Sequence, residues 1–192
     1  MDYLKIEVAK ALTVLRQGGI ILYPTDTVWG IGCDATSAAA VEKLLDIKGR
    51  ESTAGFVVLV DSEATLNRHV PVVPEIAYDI LDAAIPEQPI TIIYPDSRSL
   101  APGVCARDGS VAIRMVKHTF CERLIFQLRA PITSSSANFK GQTPPRRRSA
   151  IDTKLLALVD HVVDESMDTS VTDKPSSLIK IDISNHISIL RH

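Results

Sequence analysis

Leu4, Val8, Ala11, Leu12 and Leu15 recur every three or four positions, predicting an amphipathic helix that Gly18-Gly19 stops. Gly19–Tyr23 then predicts a buried strand, and Pro24–Gly32 a loop. A second helix should begin near Thr36 or Ser37, turn Val41, Leu44 and Leu45 inward, and end around Lys48-Gly49. Phe56–Val60 is too short for a long helix and rich in β-branched residues, so it predicts a central strand.

Pro71 and Pro74 precede a predicted helix over Glu75–Ala84, with Ile76, Ile80 and Leu81 on one face, followed by strands at Ile90–Tyr94 and Val111–Met115. Thr119 and Glu122 stand at capping-box spacing ahead of the stripe Leu124, Ile125, Leu128. Ile132–Ser134 predicts a short strand running into a polar loop, and Ser149 can cap a helix through Leu158. His161–Val163, Ser177–Asp182 and Ile187–Arg191 close the chain as strands.

Strands alternating with helices predict an α/β fold, and the closing strands without helices between them make part of the sheet antiparallel. The expectation is an open, twisted mixed β-sheet with flanking helices. Neither a repeat nor a linker breaks residues 1–192, which read as one domain. Gly103–Gly109 and Ser134–Pro145, rich in Gly, Ser and Pro, are the loops expected to border a cleft.

Composition narrows the function. With 21 Lys+Arg against 23 Asp+Glu, a formal net charge of -2 argues against a grip on nucleic acid by bulk charge. Aromatic residues at 5% argue against a surface that stacks successive bases. Cys33, Cys105 and Cys121 are odd in number and lack C-x-x-C spacing, which fits a reducing, cytoplasmic compartment. Asp2 and Glu7 interrupt the start of the chain, and no apolar run reaches the roughly 18 residues of a membrane span. His69, His118 and His161 have no ligand spacing, so no protein-held metal is expected.

Four segments carry candidate chemistry. In Pro24-Thr25-Asp26-Thr27, an extended backbone turns Thr25 and Thr27 to one face and Asp26 to the other; the same residues also suit a hydroxyl-capped turn. Lys48-Gly49-Arg50 at a helix exit supplies a point charge and a planar fork for phosphate oxygens, or simply complements the helix dipole. Ser134, Ser136 and Asn138 would share a face of an extended stretch, presenting hydroxyl, hydroxyl and amide to one point; a solvated serine loop is the plain alternative. Arg114 interrupts an apolar strand, where a charge must be paired or lie at the open end. Arg146–Arg148 reads as a solvated loop more readily than as an RNA patch.

Taken with Ser110-Val111-Ala112-Ile113-Arg114 and Pro175-Ser176-Ser177, these motifs in this order resemble the YrdC family of threonylcarbamoyl-AMP synthases, over almost the whole chain and in the single-domain form. The resemblance implies a concave cationic site. It also implies formation of L-threonylcarbamoyladenylate and pyrophosphate from L-threonine, bicarbonate and ATP with Mg²⁺, for N6-threonylcarbamoyladenosine at position 37 of tRNA. Downstream transferase proteins would then load the tRNA. It assigns catalysis to Lys48, Arg50, Ser136 and Asn138, and ATP to the same four with Ser110, Ser134 and Arg191. Thr27, Arg114 and Ser176 are assigned to threonine. The competing readings are a module binding double-stranded RNA and a relative that binds ATP without turnover, and weak RNA binding is compatible with the enzyme as well.

Overall fold

The computed structural model describes residues 2–49, 55–169, 172 and 175–191. Helix α1 (Tyr3–Arg16) buries Val8, Ala11 and Leu15, as its periodicity requires. Strands β1 (Ile21–Tyr23) and β2 (Gly30–Gly32) follow as an antiparallel pair. Helix α2 (Ala38–Lys48) starts where the Ser37 hydroxyl accepts from the Ala40 amide, and it stops at Gly49, whose φ of 55° lies in the left-handed region that glycine adopts without strain.

The chain continues through β3 (Val57–Val60), α3 (Glu63–His69), α4 (Glu75–Ala83), β4 (Ile90–Tyr94), β5 (Val111–Met115), α5 (Thr119–Leu128) and β6 (Ile132–Ser136). It ends in α6 (Thr153–Leu156), β7 (His161–Val162), β8 (Ser177–Ile181) and β9 (Ile187–Arg191). Among the described residues these strands form one mixed sheet in the order β7-β1-β2-β6-β3-β5-β4-β8-β9. Pairs β1–β7, β3–β5 and β4–β8 are parallel and the other five antiparallel, so part of the sheet is antiparallel, as the helix-free closing strands predicted.

Helices cover both faces, so the central strands are apolar on both sides. In β3 the period of two sends Leu59 into a core with α1 and α5, built on Val8, Leu15, Phe120 and Leu124. Val58 and Val60 enter the other core with Val41 and Leu44 of α2, Leu66 of α3 and Leu81 of α4.

Local order departs from the sequence reading in four places. The Pro24–Gly32 loop contains β2, whose Gly-Ile-Gly has little strand propensity and is held by pairing on both sides. Helix α3 was not foreseen; the Ser62 hydroxyl caps it by accepting from Thr65 N. At α5 the N-cap is His118, without a side-chain cap, so Thr119 lies inside the helix and the capping box does not form. Ser149 sits in a short 3-10 turn, and Asp152 caps α6 through Lys154 N, leaving one helical turn that ends before Leu158.

Candidate active site

Strand β6 runs between β3 and β2 and pairs with both. Ile132, Thr133 and Ser134 pair with Leu59, Val58 and Val57 of β3 on one edge, while Ser135 and Ser136 pair with Ile31 and Gly30 of β2 on the other, an edge that Cys33 and Asp34 extend along Thr133 and Ile132. The β2 edge depends on close backbone contact: a Cβ on Gly32 would collide with the Thr133 carbonyl oxygen. That oxygen also accepts the buried Tyr23 hydroxyl at 2.8 Å.

A cavity of about 520 Å³ opens against the C-terminal end of β6 and the start of β3. Thr27, Arg114, Ser134, Ser136, Ser176 and Arg191 all line it. Residues from five separate stretches of sequence therefore converge here, with Thr25 and Trp29 beside them.

The Thr-Asp-Thr turn answers both readings of that segment. The Thr25 hydroxyl donates to the Val28 carbonyl at 2.8 Å and accepts from the Thr27 amide, a hydroxyl-stabilised turn, while both threonines face the cavity. Their hydroxyls are 3.0 Å apart. Asp26 points the other way and is buried against Arg114, with Oδ1 3.1 Å from Nη2 and Oδ2 accepting from Lys117 N at 3.2 Å. Arg114 Nη1 donates to Thr27 Oγ1 at 3.3 Å. A carboxylate and a hydroxyl thus fix the guanidinium as a short buried charge network.

Lys48 is 7% exposed and does not line the cavity. Its Nζ donates to the Ser136 carbonyl at 2.8 Å and to the Asn138 carbonyl, so it grips the backbone of the serine turn. Asn138 leaves the strand face because β6 ends at Ser136; its Nδ2 donates to the Gln142 carbonyl, and its Oδ1 is buried without a partner. Ser110 lies away from the cavity, its hydroxyl donating to Asp108 at 2.6 Å. Arg50, with Glu51–Ala54, lies outside the described residues.

Arg191 closes the far side. Its Nε and Nη2 donate to the Ser176 carbonyl at 3.1 and 2.8 Å, and the Ser176 hydroxyl shares a 2.7 Å hydrogen bond with Thr91. Arg114 and Arg191 are the charged side chains on the described wall, and Asp26 offsets the first; the rest is apolar surface set with the hydroxyls of Thr25, Thr27, Ser134, Ser135, Ser136 and Ser176.

Four features escaped the sequence reading. The Trp29 indole N–H donates to Asp168 at 2.9 Å, tying the turn to the segment after β7. His118 is buried close to Asp26 and Asp168, and among the described residues neither ring nitrogen makes a well-formed hydrogen bond; burial holds its pKa below the ordinary value. Asp26 as counter-ion had one signal: a lone strand arginine needs a carboxylate, and Asp26 alternates away from the two hydroxyls. Cys121, also beneath the site, donates to the Pro24 carbonyl, and burial pushes its thiol far up the scale, away from nucleophilic use.

The family model Sua5_yciO_yrdC, described as "Telomere recombination", matches residues 13–192. The chain belongs to this family. A Sua5/YciO/YrdC relative from Xanthomonas euvesicatoria pv. vesicatoria (strain 85-10), named threonylcarbamoyl-AMP synthase, is 38% identical over 162 residues, covering 83% of this chain and 86% of its own. Among solved structures, the H234A/Y235A form of P. abyssi Sua5 superposes with a TM-score of 0.86 at 24% identity, covering 100% of this chain. The P. abyssi Sua5 complex with L-threonine gives 0.83 at 24% identity over 94% of this chain. This chain spans 57% and 52% of those two Sua5 chains, and at such identity they establish the Sua5/YciO/YrdC fold.

Proposed function

We propose that the protein is a threonylcarbamoyl-AMP synthase, a nucleotidyltransferase that joins L-threonine, bicarbonate and ATP into L-threonylcarbamoyladenylate with release of pyrophosphate and water. The convergence of Thr27, Arg114, Ser134, Ser136, Ser176 and Arg191 on one cavity carries this reading. The name of a relative at 38% identity favours it over an RNA-binding module.

The threonine amine and bicarbonate form a carbamate with loss of water. A carbamate oxygen then attacks the α-phosphorus, and the bond to the β-phosphate oxygen breaks. This chemistry asks the protein for alignment and charge stabilisation, with no covalent nucleophile. Arg114, held by Asp26, and the Thr27 hydroxyl would bind the amino acid, while Ser134 and Ser136 would face the nucleotide; Asn138, off the cavity wall, is assigned to ATP by the family resemblance. Lys48 keeps the serine turn in place, and Arg191 holds the Pro175-Ser176 wall. Arg50 and Ser110 remain assigned to ATP by the family resemblance.

A Mg²⁺ would enter with the triphosphate of ATP, as the family resemblance implies. Its chemistry there is to neutralise charge on the leaving pyrophosphate. No helix among the described residues is long and apolar enough to cross a membrane. The product would pass to the transferase proteins that load the tRNA.

Pyrophosphate release from ATP with Mg²⁺ should require threonine and bicarbonate together. Release at background with all substrates present would overturn the proposal. Nucleotide binding without release would instead identify a relative that has lost turnover.

A further inference from the structure

The surface beyond the other end of β3 has a different character from the cavity. The cavity touches Phe56 and Val57 at the start of the strand, whereas Asp61 and Ser62, just past its end, line a groove of about 810 Å³ beside α1, α3 and α5. At a rise of about 3.3 Å per residue, the strand separates the two by roughly 13 Å. A partner in the groove would leave the cavity clear.

Leu12 and Ile125 give the groove apolar lining, and Phe126 stands in it at 74% exposure. Arg16, Arg68 and Arg129 line the same groove from α1, α3 and the end of α5, and all three are exposed. Arg123 adjoins them in a neighbouring hollow that shares Phe126. Side-chain hydrogen bonds from Arg16 and Arg68 reach uncharged oxygens, on Gln127 at 3.1 Å and Thr65 at 2.9 Å among others. None of the four guanidiniums pairs with a carboxylate among the described residues. One oxygen of the nearby Asp61 carboxylate, Oδ1, accepts from the hydroxyls of Ser62 and Thr65 at 3.1 and 2.6 Å.

We infer that this groove docks an acidic segment of a protein partner, one that offers carboxylates to Arg16, Arg68 and Arg129 and an apolar side chain to Phe126. An exposed aromatic ring among arginines has the composition that dominates binding energy at protein interfaces. Arg16, Arg68, Arg129 and Arg123 gather positive charge on this face of a chain whose net charge is -2. They complement an acidic surface and would speed and orient its approach. A continuous phosphate backbone fits less well, since Asp61 and Glu122 line the same groove and hollow, and Phe126 is the one aromatic there on which a base could stack.

The test is selection of a randomised phage-displayed peptide library on the full-length protein, followed by fluorescence anisotropy with the enriched peptides. Enriched sequences should combine Asp or Glu with Leu, Phe or Trp. Their affinity should fall about tenfold or more in Arg16→Glu and in Phe126→Ser, a loss of about 1.4 kcal/mol or more, and should weaken with salt. Arg68→Glu repeats the test from the α3 wall. All three side chains are exposed and far from the cavity, so thermal unfolding and pyrophosphate release should stay at wild-type values. Peptides without acidic bias, affinities indifferent to all three substitutions, or a single-stranded RNA oligonucleotide that displaces the peptide would each overturn the inference.

Discussion

Arg114 and Asp26 meet at 3.1 Å beneath the cavity, on side chains that are 7% and 1% exposed. Breaking one side of such a pair strands the other charge, at a cost of about 3–5 kcal/mol, whereas replacing both by apolar groups is often neutral. Asp26→Asn should therefore lower stability by about 3 kcal/mol and raise the KM for threonine as Arg114 loses its anchor. The double variant Asp26→Leu/Arg114→Met should recover most of the stability and none of the threonine-dependent turnover. Chemical denaturation with pyrophosphate-release kinetics checks both; a double variant that keeps turnover would remove Arg114 from the site.

Lys48 holds two carbonyls of the serine turn, so its loss should be felt in folding as well as in catalysis. Lys48→Met should cost about 2 kcal/mol and reduce pyrophosphate release, because buried carbonyls lose a charged donor. Lys48→Arg should not rescue it, since a planar fork cannot reproduce a compact ammonium. Unchanged stability with weaker ATP binding would instead make Lys48 a direct phosphate ligand.

Gly32 has no room for a side chain, with the Thr133 carbonyl where a Cβ would stand. Gly32→Ala should cost about 3 kcal/mol by forcing β2 and β6 apart. The expected result is a lowered thermal midpoint and disturbed ATP binding, because Ser134 and Ser136 lie on the displaced strand. A midpoint equal to wild type would contradict the close β2–β6 contact at Gly32.

Acid should weaken the fold through His118. Burial lowers its pKa in the native state below the ordinary 6.5, while Asp26 and Asp168 act to raise it without prevailing. As pH falls through 6.5 the unfolded chain takes up the proton first, so this contribution is intact above that pH and declines below it. His69 is lowered as well, first by burial, and adds to the same decline. His118→Leu should make the loss of stability between about pH 7.5 and about pH 5.5 smaller than in the wild type, measured by denaturant titration at each pH. An unchanged slope would place the titration elsewhere.

The sequence by itself determined the helices with a clean apolar stripe, the β-branched central strands and the order of the motifs. Those signals arise from neighbours within a few residues, and α1, α2, β3, β4 and β5 appear close to where the pattern put them. It also determined which residue types the cavity would contain, down to the hydroxyls of Thr27, Ser134 and Ser136 and the guanidinium of Arg114.

Only the tertiary structure decided how they are used. Gly30–Gly32 is a strand because β1 and β6 pair with it from both sides, a non-local cause that glycine-rich sequence hides. Lys48 turned to backbone carbonyls, and Arg114 found Asp26, because a buried charge takes the best partner that the packing brings within reach. The groove of Arg16, Arg68 and Arg129 was likewise invisible in sequence, since its residues come from three helices that meet only when α1, α3 and α5 pack around the end of β3.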